Sequence, residues 1–127
     1  MTTEESRKVT LPKHIDQTVQ AFQGVDGDTV QRLRQDVITY ASSRFSNSQS
    51  DIEVPADLVA YLDKVALQAY KITDADVESL QAKGYSDDAI FELTVGASLG
   101  VGVATWQEGI QAIDAFFDAE EERNHAA

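Results

Sequence analysis

The stretch that most constrains the fold of this chain runs from Ile90 to Phe117, where glycines are set among apolar residues. The apolar spacing predicts one long helix. Glycine inside a helix costs about 1 kcal/mol relative to alanine, so Gly96, Gly100 and Gly102 need a compensating role. We expect that role to be the close approach of another helix or of a second subunit, with Trp106 on the same packing surface.

The apolar residues of this stretch form two stripes at helical spacing. One stripe contains Ile90, Ala97, Val101 and Ala104, and the other contains Phe91, Val95, Leu99, Trp106, Ile110, Ile113 and Phe117. A surface helix of a monomer has a single apolar stripe about 100° wide. Two stripes therefore predict that the helix is buried on both sides, by its own chain and by a second subunit.

The rest of the chain predicts further helices, because no stretch alternates with the period of two that strands require. Start signals and apolar spacing place the first two after Pro12 up to Gly24 and from about Thr29 to Phe45, with an Asp28–Gln31 capping box. The third begins at Pro55 and has a stripe that includes Ala69. The fourth follows an N-cap at Thr73 with Asp76 three residues later, which is a capping box, and Gly84 is placed as the glycine after its end; the last follows an N-cap at Ser86. The expected fold is all-α. It is one domain over 1–127 with five to six helices in antiparallel hairpins, a flexible arm over 1–10 and a fraying tail over 120–127.

Charge and cysteine content exclude several classes of function. The chain has 10 basic and 22 acidic residues, a net charge of −12, which argues against nucleic acid and anionic membrane surfaces as partners. It has no cysteine, so thiol chemistry is excluded. The polar start is not a signal peptide, and the run Ile90–Trp106, about 17 residues, is short for a membrane span. We expect a cytoplasmic protein.

The segment from Tyr70 to Ile113 resembles the carboxymuconolactone decarboxylase / AhpD-like alkylhydroperoxidase superfamily. The residues that carry the resemblance are Thr73-Asp74-Ala75-Asp76-Val77 and Leu80-Gln81-Ala82-Lys83-Gly84-Tyr85-Ser86-Asp87-Asp88-Ala89-Ile90-Phe91-Glu92. They are similar to that superfamily's short helix, its glycine–serine turn and the start of its next helix. The resemblance implies an AhpD-like helical domain that forms homo-oligomers, namely dimers, trimers or hexamers.

The catalytic motif of the superfamily's peroxidases is absent. Their Cys-x-x-Cys-x-x-x-His run, aligned on Gly84, falls on Ala69, Ile72 and Asp76, and their relay glutamate falls on Asp57. Because the thiolate is the nucleophile of such enzymes, thiol peroxidase activity is excluded. The resemblance therefore indicates a cysteine-free branch with a degenerate active-site pocket.

Four polar residues are candidates for lining what remains of that pocket, namely Asp57, Tyr61, Tyr70 and Asp76. Two carboxylates held close together would raise the pKa of one of them and provide a general acid or base. The alternative is that both acids are ordinary helix-start residues and that both tyrosines pack with their hydroxyls at the surface. The sequence favours this alternative.

The leading functional hypothesis is a non-redox, AhpD-like protein that acts as a structural, interaction or small-molecule-binding protein. The competing hypothesis is a cofactor-free acid–base enzyme of decarboxylase or lyase type that uses Asp57 and Asp76. We expect no metal and no cofactor. The expected partners are further copies of the chain and a small molecule, without nucleic acid or membrane.

Overall fold

The computed structural model describes residues 11–24, 27 and 29–126, and these contain five α-helices, one short 3-10 helix and no strand. The α-helices are α1 (Lys13–Gly24), α2 (Gln31–Ser46), α3 (Ala56–Leu67), α4 (Asp74–Ala82) and α5 (Asp87–Ala126), and the 3-10 helix is Ala69–Lys71. The prediction of an all-α chain is confirmed. The expected arm 1–10 and the cap residue Asp28 lie outside the described residues.

The core forms where α2 and α3 pack against the N-terminal half of α5. It is built from aliphatic side chains at helical spacing, namely Val37, Ala41, Leu58, Leu62, Val65, Ala66, Leu93 and Ala97. α1 packs on α2, and α4 packs on α3 and α5. The second half of α5 takes no part in this core, since no side chain between Thr105 and His125 is buried.

The turn that leads into α5 forms as the sequence predicts. Thr73 and Asp76 form a capping box at the start of α4, in which the Thr73 backbone N–H donates to the Asp76 carboxylate at 2.9 Å. Gly84 ends the helix in the left-handed region with φ of 100°. The Ser86 hydroxyl then accepts the Ala89 backbone N–H at 3.0 Å and caps α5.

Close helix packing explains two of the glycines of α5 but not the third. A Cβ atom at Gly96 would lie 3.3 Å from the Phe22 ring, and one at Gly100 would lie 3.0 Å from the Ser42 backbone nitrogen. A Cβ atom at Gly102 would meet nothing within 4 Å. Close packing within the chain therefore accounts for Gly96 and Gly100, whereas Gly102 makes no such contact within the chain.

Three other details differ from the sequence-based expectation. α2 begins at Gln31 rather than Thr29, after Val30 in an extended conformation. Ala69 lies exposed in the 3-10 helix instead of continuing the buried stripe, because α3 ends at Leu67. Segment 120–127, expected to fray, is helical as far as Ala126.

Candidate functional site

The two stripes of α5 have opposite environments. In the first stripe Ile90, Ala97 and Ala104 are buried by α2 and α3, so burial by the helix's own chain is confirmed. The second stripe lies on the other side of the helix and is largely exposed. Together with Phe116 we call it the exposed apolar face, which consists of Phe91, Val95, Leu99, Trp106, Ile110, Ile113, Phe116 and Phe117.

Large side chains dominate the exposed apolar face. Phe91 is 69 % exposed, Ile113 50 % and Phe117 55 %. Over the same length three residues are charged. By the 100° step of a helix Glu108 points away from the face, whereas Glu92 and Asp114 lie along the edge formed by Ile110. The apolar strip runs from Phe91 to Phe117, about 39 Å at 1.5 Å per residue.

The N-terminal half of this face forms one wall of a groove, and α1 forms the other. The groove has a volume of about 500 Å³. Its lining is almost entirely apolar and consists of Ile15, Val19, Phe91, Thr94, Val95, Ser98, Leu99, Gly102, Val103 and Trp106. We call it the α1–α5 groove. Gly102 lies in its floor, which accounts for the open space around that residue.

The sequence predicted only the α5 wall of the groove and not the α1 wall. The second stripe was visible in the apolar spacing of α5, but the contribution of α1 depends on how α1 packs across α5. Ile15 and Val19 have the spacing of an ordinary core-facing helix. Instead Ile15 remains 40 % exposed and lines the groove. No local pattern distinguishes these two outcomes.

The residues of the predicted polar pocket are placed at separate points. Tyr61 is buried and its hydroxyl lies 2.7 Å from the Thr94 hydroxyl, whereas Tyr70 is 82 % exposed on the 3-10 helix. Ala69 is exposed beside it, and Ile72 is half-buried against the core. None of the four candidate pocket residues lines the α1–α5 groove.

The two candidate carboxylates have different partners. Asp57, in the first turn of α3, accepts the Tyr85 hydroxyl at 2.8 Å. Asp76 accepts the Lys64 ammonium at 2.9 Å, and this hydrogen bond, together with that from the Thr73 backbone, holds the pKa of Asp76 below its ordinary value. Among the hydrogen bonds and ion pairs of the described residues, none joins Asp57 to Asp76.

Tyr85 is the most perturbed titratable group of this region. Burial, and then the hydrogen bond to Asp57 and the charge of that carboxylate, raise the pKa of Tyr85 to about 12. A phenol with a raised pKa remains protonated at neutral pH and acts there as a hydrogen-bond donor. This pair therefore joins the start of α3 to the turn before α5.

A buried charge that the sequence did not reveal lies at the start of α2. Arg34 is only 2 % exposed, and its guanidinium donates to the Thr29 carbonyl and lies 3.6 Å from the Glu92 carboxylate. Glu92 also accepts the Thr29 hydroxyl at 2.9 Å. This cluster attaches α2 to the first turns of α5, and removal of Arg34 or Glu92 would leave a buried charge uncompensated.

Within the described part of the chain, no group of three or more His, Asp or Glu side chains is arranged to hold a metal ion. α5 is long and apolar enough to pass a length-and-composition test for a membrane span, with 39 % of its most apolar window buried in the protein. Because a core helix passes the same test, this observation is weak evidence for a membrane.

No family model, no curated protein and no solved structure matches this chain.

Proposed function

We propose that this protein is a non-catalytic interaction protein that assembles with copies of itself through the exposed apolar face of α5. The observation that carries the proposal is the second half of α5. From Thr105 to His125 it contributes no buried side chain, yet it displays Ile113, Phe116 and Phe117. Most helical stability in proteins comes from packing of an apolar face, and this half of α5 buries none of its side chains within its own chain. A partner that covers this face supplies that packing.

The size of the face supports a specific interface. Its bulky side chains, with Ile15, leave on the order of 600 Å² of apolar surface exposed, against roughly 800 Å² buried per partner in a stable interface. The largest apolar patch on a typical monomer is about 300–600 Å² and is often functional. Contacts between the partner and the residues around the edge of the face would supply the remaining buried area.

The proposal includes the family relationship. We propose that the chain is a cysteine-free relative of the carboxymuconolactone decarboxylase / AhpD-like superfamily, with an AhpD-like arrangement of helix hairpins. The support is the turn from Thr73 to Glu92, whose capping box, left-handed Gly84 and Ser86 cap have the form that the resemblance requires. Degeneration of the catalytic motif fits a protein that acts by assembly.

The acid–base hypothesis has less support. A general base must reach the proton that it abstracts, and a raised carboxyl pKa suits that task. The pKa of Asp76 is instead lowered, and Asp57 is engaged by Tyr85. We therefore place the function in the apolar face and not in these two carboxylates.

Sedimentation equilibrium tests the proposal at micromolar concentration. The wild-type chain should sediment as a multimer of its 13.9 kDa mass. Phe116→Glu, which changes a side chain 57 % exposed in the single chain, should sediment as a folded monomer. The matched control is Leu67→Glu, because Leu67 is an exposed apolar residue outside the face, and it should remain multimeric. A monomeric wild-type chain would contradict the proposal.

A further inference from the structure

We infer that the second copy packs antiparallel to the first, so that Ile110 and Ile113 of each copy fill the α1–α5 groove of the other. This inference rests on the proposed self-assembly and specifies its geometry. The groove lies along the first half of the exposed apolar face, from Phe91 to Trp106. The projecting apolar residues lie along the second half. A two-fold rotation about the middle of the face brings each half onto the other.

The middle of the face is built for close approach. Gly102 has no neighbour within 4 Å of where a Cβ would stand, and it is followed at helical spacing by Thr105 and Gly109 and preceded by Ser98. These four small side chains are all exposed. Small residues allow two helix backbones to approach closely. We therefore place the two-fold axis beside Gly102.

With the axis at Gly102, four large side chains near the centre of the face lie opposite small ones, Ile113 lies opposite Phe91 of the partner subunit, and Phe116 and Phe117 lie opposite Asp88 and Asp87 of the partner subunit. Trp106 lies opposite Ser98 of the partner subunit, Val95 opposite Gly109 of the partner subunit, and Leu99 opposite Thr105 of the partner subunit. Ile110 likewise lies opposite Thr94 of the partner subunit. Alternation of large and small residues across facing positions is what allows two layers to interdigitate without voids. A parallel pair in register would instead place each of these residues opposite itself.

The repeat of the face fits a pair of nearly straight helices. Phe91, Gly102 and Ile113 follow one another at intervals of 11 residues, as do Val95, Trp106 and Phe117. An 11-residue repeat corresponds to about 3.67 residues per turn, close to the 3.6 of an undistorted helix. The face therefore stays directed at the same partner along its whole length.

The groove alone would also accept a small apolar molecule. Such a molecule would cover Phe91 and Trp106 but leave Ile113, Phe116 and Phe117 exposed, since these lie beyond the groove. A second copy covers Phe91 and Trp106 and also Ile113. This difference is why we assign the groove to a second copy of the chain.

A compensating pair of substitutions tests the register. Gly109→Leu introduces a large side chain where the single chain has open space, so the fold should tolerate it. Opposite Val95 of the partner subunit it should clash and weaken dimerisation by at least about tenfold. Adding Val95→Ala should restore most of that loss. In a parallel pair Gly109 faces Gly109 of the partner subunit, and Val95→Ala would rescue nothing, which would overturn the inference.

Spin labels test the orientation directly, since the chain has no cysteine of its own. A label on Glu120→Cys should give a distance of about 5 nm in the antiparallel dimer and less than about 2 nm in a parallel one. A label on Thr105→Cys, near the axis, should show strong broadening. A short distance at residue 120 in a confirmed dimer would overturn the antiparallel geometry while leaving the proposed self-assembly intact.

A monomer without dipolar coupling at either site would overturn both proposals. Trp106, the only tryptophan, then reports what covers the face instead. A blue shift of its emission on addition of anilinonaphthalenesulfonate would identify the groove as a small-molecule site. A blue shift only with phosphatidylcholine vesicles would identify the face as a membrane contact.

Discussion

Gly100 of α5 lies so close to Ser42 of α2 that a Cβ on the glycine would sit 3.0 Å from the Ser42 backbone nitrogen. The Ile38 carbonyl oxygen is closer still. Backbone atoms cannot rotate away as a side chain can, so any residue other than glycine would push the two helices apart. The glycine therefore sets the distance between the two longest helices of the core.

This contact predicts opposite effects for two alanine substitutions in one helix. Gly100→Ala should lower the free energy of unfolding by about 1–3 kcal/mol, since overpacking outweighs the gain in helix propensity. Gly109→Ala, where a Cβ meets nothing within 4 Å, should raise it by about 0.5–1 kcal/mol.

Urea unfolding monitored by circular dichroism measures both changes. The two variants are compared in a Phe116→Glu background, so that self-assembly does not contribute. A Gly100→Ala variant as stable as its parent would show that α2 and α5 are not packed this closely.

The sequence predicted what local chemistry determines. The Thr73–Asp76 box, the left-handed Gly84 and the Ser86 cap depend on residues a few positions apart, and all three form. The burial of Arg34 could not be predicted, because its partner Glu92 comes from a distant part of the chain.

The site was predicted only in part for the same reason. The stripe from Phe91 to Phe117 follows from helical periodicity, but whether it is covered within the chain depends on where the other helices end. The four polar candidates, from Asp57 to Asp76, were grouped by resemblance, and the fold gives Asp57 and Asp76 separate partners.

The Asp57–Tyr85 hydrogen bond predicts a change in the titration of the phenol. In Asp57→Asn the pKa of Tyr85 should fall from about 12 part of the way toward 10, because the carboxylate is removed while burial remains. Subtracting the ultraviolet titration curve of the variant from that of wild type isolates the ionisation of Tyr85 from that of the other tyrosines. An unchanged titration curve would mean that the hydrogen bond does not form in solution.

The same raised pKa predicts how stability depends on alkaline pH. The folded state holds the Tyr85 proton more tightly than the unfolded state, so this contribution is complete below pH 10 and is lost as pH rises toward 12. Tyr85→Phe should remove that slope, which urea midpoints between pH 9 and about 11.5 would reveal. If stability falls with pH equally in wild type and in Tyr85→Phe, ionisation of Tyr85 is not the cause of the fall.

The lowered pKa of Asp76 predicts the opposite pH dependence of stability, a loss as the pH falls. Its pKa is lowered in the folded state by the hydrogen bonds from Lys64 and Thr73, so its contribution is present above the ordinary value of 3.8 and is lost as pH falls through the folded value. Asp76→Asn should therefore be less stable than wild type at pH 6, with a difference that shrinks below pH 3.8.

Asp74→Asn is the matched control for this measurement, because Asp74 lies in the same first turn without the Lys64 ion pair. Its difference from wild type should be smaller and less dependent on pH. Equal behaviour of the two variants would show that the first-turn position, and not the hydrogen bonds of Asp76, is what stabilises α4.

The central claim is that a second copy of the chain covers the exposed apolar face of α5, and the emission of Trp106 during dilution tests it most directly. Trp106 is the only tryptophan, lies on this face and is 40 % exposed in the single chain. Its emission maximum should move to longer wavelength as the wild-type protein is diluted, and it should already lie there at every concentration in Phe116→Glu. A wild-type maximum that is independent of concentration and equal to that of the variant would contradict the claim.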